Sequence, residues 1–219
     1  MSRASEILAV KKIYVSQKNT IGRALESFRA KWKNGTSRDI MHEMIFCIFT
    51  PQSKAVNCWA CVEKILEKKL LLNATPAQLL RLKEINGVRF KNKKAVYACE
   101  ARDKFVKNGK FIIKEFLSEF KDPYEMREWL VKNIKGYGYK EASHFLRNIG
   151  FGDDIAILDR HILRNLVRMG VIPAIPESLT NAKYLEIEQK MKKFAKKINI
   201  PMDGLDLTLW FREAGHVFK

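Results

Sequence analysis

Around residues 131–167 the apolar residues keep helical spacing, lose it at two glycines set one residue apart, and then resume it. Before the break Met126, Trp129, Leu130 and Ile134 fall close to one helical face, and after it Ala142, Phe145, Leu146 and Ile149 follow the i, i+3, i+4, i+7 pattern. The spacing predicts a helix, a tight Gly136-Tyr137-Gly138 turn and a second helix. Glycine at both positions permits positive φ angles and lets bare backbone approach a ligand. The second helix starts with free N–H groups pointing outward, where the helix dipole favours an anion such as phosphate. Lys140 falls in that first turn, where a cation gains nothing from the dipole, so its placement asks for another reason. Nineteen residues further on, Asp159 precedes the apolar-periodic Ile162, Leu163, Leu166 and Val167. It reads as an N-cap whose carboxylate is fixed at a helix mouth.

The charge balance names the kind of partner. In 219 residues, 41 Lys and Arg stand against 24 Asp and Glu, a net charge of +17. Neutral small-molecule chemistry does not need such an excess, and a polyanionic partner does. A hydrophobic content of 47% argues against a disordered basic tail, and no apolar run approaches the ~20 residues of a membrane span. The first residues show no signal-peptide pattern, so the cell interior is the expected compartment. The four cysteines, Cys47, Cys58, Cys61 and Cys99, fit a reducing environment. Cys58 and Cys61 have a C-x-x-C spacing, but they fall in a predicted helix with no second pair. His42, His144, His161 and His216 are scattered. Neither a metal site nor a cofactor is expected.

Helix follows helix along the rest of the chain. Amphipathic helices are predicted over 5–14 and 19–32, then a turn at 34–37, then a strongly apolar helix from Asp39 through Ile40, Met41, Met44, Ile45, Ile48 and Phe49. That helix is too apolar for a surface position and reads as the centre of the core. It stops at Thr50-Pro51, because proline disfavours the helical conformation of the residue before it. Further helices are predicted over 55–68 and, from the Thr75-Pro76 start, over 77–83. Between Lys91 and Lys110 seven basic residues stand against two acidic ones, a face part of which is expected to meet phosphates. Asp122-Pro123 opens the hairpin. After a loop at 169–176, Tyr184, Ile187, Met191 and Phe194 mark one more helix, and Leu205, Leu209 and Trp210 a last one. With no repeat and no convincing strand run, the fold class is all-α.

The hairpin with its following aspartate resembles the helix-hairpin-helix DNA glycosylase superfamily, whose hairpin ends in Gly-x-Gly-x-Lys and whose next loop carries an essential Asp. Those positions here are Gly136, Gly138, Lys140 and Asp159. The superfamily's loop often reads Gly/Val-Pro/Val-Asp, whereas Leu158 precedes the Asp here, which loosens the motif and keeps its carboxylate. The resemblance implies two helical subdomains with the active-site cleft between them. A core is expected over about 39–135, the hairpin and catalytic loop over 122–168, and C-terminal helices over 177–219 packing with N-terminal helices over 1–33, all within one glycosylase unit, 1–219. It also implies roles: Lys140 as the amine that attacks C1′, Asp159 as the carboxylate that stabilises positive charge on the sugar, and His161, Gly136 and Gly138 as holders of the DNA backbone.

Two further assignments lean on the resemblance. Gln52-Ser53-Lys54 resembles the superfamily's Ser-x-Gln-x-Thr-like segment, which would make Gln52 the side chain filling the space left by an extruded base. Locally, the segment reads equally well as a helix-terminating loop whose Gln bonds free carbonyls. With no cysteine beyond Cys99 the iron-sulfur members do not fit, and a hairpin lysine does not fit the monofunctional alkylation-repair type. What remains is most similar to the archaeal-type second family of 8-oxoguanine DNA glycosylase/lyases, in which the C-terminal lysine lines the base pocket. Lys219 takes that place here, with Trp210 and Phe218 as stacking surfaces for a flipped base; terminal residues are also commonly frayed. The implied partner is double-stranded DNA containing oxidised guanine, met by a monomer away from membranes. Two alternatives stand beside this one: a pyrimidine-damage glycosylase on the same scaffold, and a non-enzymatic DNA-binding protein in which Lys140 only holds a phosphate.

Overall fold

The computed structural model describes residues 2–217. Among them the fold is all-α apart from one short β-hairpin. The chain forms two compact units, one made of Met1–Ala30 with Leu146–Lys219 and the other of Lys31–Phe145.

The first helix, α1 (Arg3–Asn34), replaces the two predicted over 5–14 and 19–32. Between Tyr14 and Asn19 the chain reads Val-Ser-Gln-Lys, with neither Gly nor Pro to stop a helix. Ser16 turns its hydroxyl back onto the Ile13 carbonyl at 2.9 Å. The apolar period fades there because the stretch is largely exposed, and the backbone continues.

In the Lys31–Phe145 unit the centre is α2 (Ser37–Phe49). Thr36 caps it in a capping box with Asp39: the Thr36 side chain accepts from the Asp39 N–H, and the Thr36 N–H donates to the Asp39 carboxylate at 2.8 Å. Ile40, Met41, Met44, Phe46 and Phe49 are wholly buried, each worth roughly 1.5–3 kcal/mol relative to exposure. Packed on α2 are α3 (Ala55–Glu67), α5 (Lys91–Lys104) and α6 (Ile113–Leu117), while the short α4 (Pro76–Leu80) lies against α5. Thr75 caps α4 in a second capping box with Gln78.

The strandless expectation fails at one place. β1 (Val106–Lys107) and β2 (Lys110–Phe111) pair antiparallel, Val106 with Phe111 and Lys107 with Lys110. The two turn residues, Asn108 and Gly109, both have positive φ, 51° and 71°. Asn-Gly is the pair that such a two-residue turn favours. The hairpin helices follow as α7 (Pro123–Asn133), capped by Asp122, and α8 (Tyr139–Asn148).

In the other unit α1 is joined by α9 (Arg160–Arg168), α10 (Asn181–Ile198) and α11 (Met202–Ala214), with α11 packed against both α9 and α10. Gly150 ends α8 with φ +93°, and a Cβ there would lie 2.8 Å from the Arg29 Cα of α1. Glycine at this position lets the backbone of α1 pass directly against the end of the hairpin. Two buried carboxylates of this unit are paired: Arg212 donates to Glu6 at 2.6 Å, and the half-exposed Arg29 donates to Asp203 at 3.0 Å.

Candidate active site

The residues singled out by sequence fall in both units. In the Lys31–Phe145 unit the hairpin turn is pinned to the core by the residue between its glycines. The Tyr137 hydroxyl donates to the Met44 carbonyl of α2 at 3.0 Å, and its ring packs 6.1 Å from Phe145. Gly136 has φ +86°, and a Cβ on it would come within 2.9 Å of the Tyr97 ring. Gly138 is different, because its φ is not positive. Its N–H donates to Glu141 Oε2 at 3.1 Å, so the helix mouth expected to be free is capped by the helix's own third residue. The next N–H groups of the turn have no intrahelical acceptor, as at any helix start.

Lys140 lies in that first turn with a quarter of its side chain exposed, its Nζ 3.6 Å from Glu141 Oε1. A second lysine lies within electrostatic reach of it, one that the sequence placed on a solvated basic face. Lys94 of α5 is 5% exposed. Its ammonium donates to the Phe49 carbonyl at 2.7 Å, the Pro51 carbonyl at 2.6 Å and Ser53 Oγ at 3.3 Å. Burial lowers its pKa to about 8, and the nearby Lys140 charge pushes the same way. Arg102, from the same run, is also buried and donates to the Ala74 carbonyl at 2.5 Å. These two basic residues brace the interior and are not part of a solvated basic face.

Lys94 bears directly on Gln52. The Phe49 carbonyl that ends α2 and the Pro51 carbonyl just beyond it, which a terminating glutamine could bond, both accept from the Lys94 ammonium. Gln52 is exposed and held at φ +56°, a left-handed conformation that non-glycine residues adopt at a cost. The neighbouring Ser53 Oγ accepts from the Arg89 N–H at 2.9 Å. The C-x-x-C pair is inert structure, since Cys58 and Cys61 are buried free thiols and burial raises both pKa values, that of Cys61 to about 12.

In the other unit Asp159 caps α9, accepting from the Ile162 N–H at 2.8 Å through Oδ1. His161 Nδ1 lies 3.3 Å from Glu213 Oε2, and its ring meets Trp210 edge-on at 5.8 Å. Glu213 also accepts from Asn165 at 2.9 Å and Arg168 at 3.0 Å. Burial opposes its ionisation, yet the bonds from Asn165 and His161 hold its carboxyl below the usual range. Trp210 is partly buried, with an indole Nε1 that has no hydrogen-bond partner among the described residues. Phe218 and Lys219, the other two base-pocket candidates, lie outside the described residues. Among the described residues no group of three or more His, Cys, Asp or Glu could hold a metal ion, and no helix is long and apolar enough to cross a membrane.

A buried carboxyl stands close to Asp159. Asp206 of α11 is 5% exposed, with Arg147 NH1 3.8 Å away. Burial raises its pKa from 3.8 to about 7; Arg147 opposes the shift and the Asp159 charge adds to it. The folded state therefore holds this proton more tightly than the unfolded chain. Its contribution to stability is fully present below about pH 4 and is lost as pH rises through about 7. Asp206→Asn is expected to remove that loss. At ~1.36 kcal/mol per pKa unit, the variant should gain about 2 to 3 kcal/mol relative to the parent between pH 5 and pH 8. Denaturant unfolding of both proteins at the two pH values measures the difference, and parallel pH profiles would contradict it.

An all-α chain with an anchored helix-turn-helix, a lysine at the second helix mouth and an aspartate capping the following helix defines the helix-hairpin-helix class. Residues 21–200 match the family model for 8-oxoguanine DNA glycosylase. A protein of Fusobacterium nucleatum named 8-oxoguanine DNA glycosylase/AP lyase is 49% identical over 210 residues, 96% of each chain. One of the same name from Methanocaldococcus jannaschii is 40% identical over 92% of this chain and 93% of its own. Among solved structures, the M. jannaschii 8-oxoguanine glycosylase/lyase in complex with 15mer DNA containing 8-oxoguanine superposes with a TM-score of 0.84 and 35% identity, covering 97% of this chain and all of that one. The Thermotoga maritima 8-oxoguanine DNA glycosylase gives 0.83 and 31% over 99% and 100%. The chain belongs to the 8-oxoguanine DNA glycosylase family.

Proposed function

We propose that this protein is a bifunctional DNA repair enzyme that excises 8-oxoguanine from duplex DNA and then cuts the strand at the resulting abasic site. The observation that carries this reading is the setting of Lys140: at the mouth of α8, on a turn anchored to the core through Tyr137, three-quarters covered, and within electrostatic reach of a second, buried ammonium. A lysine that only held a phosphate would need neither the burial nor the neighbour.

The chemistry assigns each residue a task. The neutral Lys140 amine attacks C1′, the bond from C1′ to the base breaks, and the base leaves with a proton. Charge that builds on the sugar is stabilised by the Asp159 carboxylate, whose Oδ1 is oriented by the Ile162 N–H. Opening of the sugar ring leaves a Schiff base between Lys140 and C1′. This acidifies the C2′ proton, and loss of that proton expels the 3′ phosphate and breaks the strand. Hydrolysis of the Schiff base then frees the lysine. Gln52, exposed and relieved of any capping duty by Lys94, fills the gap left by the flipped base. His161 holds the strand backbone, with Gly136 and Gly138 presenting the hairpin to the phosphates. The enzyme works as a monomer on DNA inside the cell and needs no cofactor.

A panel of duplexes tests the substrate. Oligonucleotides carrying 8-oxoguanine, thymine glycol or no lesion are incubated with the enzyme and resolved for strand cutting. Cutting at 8-oxoguanine well above the other two is expected. Preference for thymine glycol would move the protein to pyrimidine damage, and no cutting of any duplex would leave a DNA-binding module.

A further inference from the structure

Asp159 ends a buried strap without regular secondary structure. Residues 155–158 are between 0% and 7% exposed, and among the described residues no β-strand runs beside them to satisfy their backbone. Buried backbone polar groups need partners. Here two side chains of α10 replace a neighbouring strand. Glu188 Oε2 accepts from the Ala156 N–H at 2.8 Å. The Tyr184 hydroxyl donates to the Ala156 carbonyl at 2.6 Å and accepts from the Leu158 N–H at 3.2 Å. The Asp206 carboxyl of α11 lies near this backbone, where the Ile157 N–H favours its charged form against the dominant effect of burial. Asp159 then closes a tight turn onto the Ile157 carbonyl at 2.8 Å before entering its cap.

Tyr184 and Glu188 are four residues apart on α10, so one helical face carries both. Both are essentially inaccessible, at 2% and 0% exposure. Placing two polar groups there, where apolar side chains would pack as well, is explained by what they hold. The cap fixes Asp159 from the downstream side, through α9, and the strap fixes it from upstream.

Resting on the reading of Asp159 as the carboxylate that faces the sugar, we propose that Tyr184 and Glu188 are positioning residues that set the Asp159 carboxylate through the backbone of residues 156–158. They touch neither DNA nor the reacting atoms. Their effect belongs to the excision step and passes entirely through Asp159.

The test is a double-mutant cycle on single-turnover excision of 8-oxoguanine. Tyr184→Phe keeps the ring and its packing and deletes only the hydroxyl. It is expected to slow excision by about 30-fold, a loss in keeping with the cost of sub-ångström misplacement, with duplex binding unchanged. In an Asp159→Asn background the same substitution should change the remaining rate by less than about twofold, because the group it positions is already gone. A second pair of variants guards against a folding defect. Glu188→Gln, which retains an acceptor for the Ala156 N–H, should keep about tenfold more activity than Glu188→Leu. Full activity in Tyr184→Phe, or an undiminished 30-fold loss in the Asp159→Asn background, would overturn the proposal. Normal excision by Asp159→Asn alone would instead overturn the role of Asp159 and the positioning role with it.

Discussion

Lys140→Gln is expected to abolish strand cutting and covalent trapping while leaving duplex binding within a few-fold of the parent. Glutamine is close to lysine in length and can remain beside Glu141, whose other oxygen caps Gly138. The turn should therefore survive, since its anchor is Tyr137 on the Met44 carbonyl and not the lysine. What disappears is the nucleophile. Without an amine to form the Schiff base, β-elimination has no electron sink, and the rate of cutting should fall by on the order of 10⁴-fold or more, about 5 kcal/mol of transition-state stabilisation. A gel assay for nicked product over several hours checks this. One further consequence follows from the neighbouring ammonium: burial lowers the Lys94 pKa to about 8 and Lys140 adds to that, so removing Lys140 should raise it. Retained strand cutting in Lys140→Gln would transfer the nucleophile to another amine.

The second large effect is expected at Asp159. Asparagine is as good an N-cap as aspartate, so Asp159→Asn can keep the bond from the Ile162 N–H. Stability should change by less than about 1 kcal/mol, yet the negative charge is lost at the moment the sugar becomes positive. A loss of on the order of 10² to 10³ in excision is expected, about 3 to 4 kcal/mol, the range found when one preorganised electrostatic contact to a transition state is removed. Single-turnover excision beside a thermal melt separates the two effects. Near-normal excision would show that the carboxylate is only a helix cap, and a large drop in melting temperature would show that the substitution damages the fold.

The parts of this structure that could be read from sequence are those written in neighbouring residues. The α2 core, the Asp122-Pro123 start of α7, the hairpin and the Asp159 cap each depend on spacing within about one or two turns of chain. The β-hairpin was signalled by Asn108-Gly109, but strands of two residues are too short to show a period of two. Gly138 carried a misleading signal, because glycine suits both a positive φ and an N-cap, and only the placement of Glu141 three residues later marks it as the cap. Lys94 was beyond the reach of sequence for a different reason. Its niche is lined by carbonyls more than forty residues away, and a lysine inside the run Lys91-Asn92-Lys93-Lys94 looks like any solvated lysine. The strap shows the same limit, since Tyr184 and Glu188 meet it across 26 to 32 residues of chain. Interior polar contacts of this kind become visible only once the helices are packed.

The most direct measurement is borohydride trapping on duplex DNA containing 8-oxoguanine, followed by protease digestion and mass spectrometry of the cross-linked peptide. Reduction fixes the Schiff base as a stable amine, so the modified residue identifies the nucleophile without any substitution in the protein. The expected result is a single covalent adduct carried by Lys140. An adduct on a different lysine, Lys94 above all, or no adduct while the base is still released, would contradict the catalytic role of the hairpin lysine.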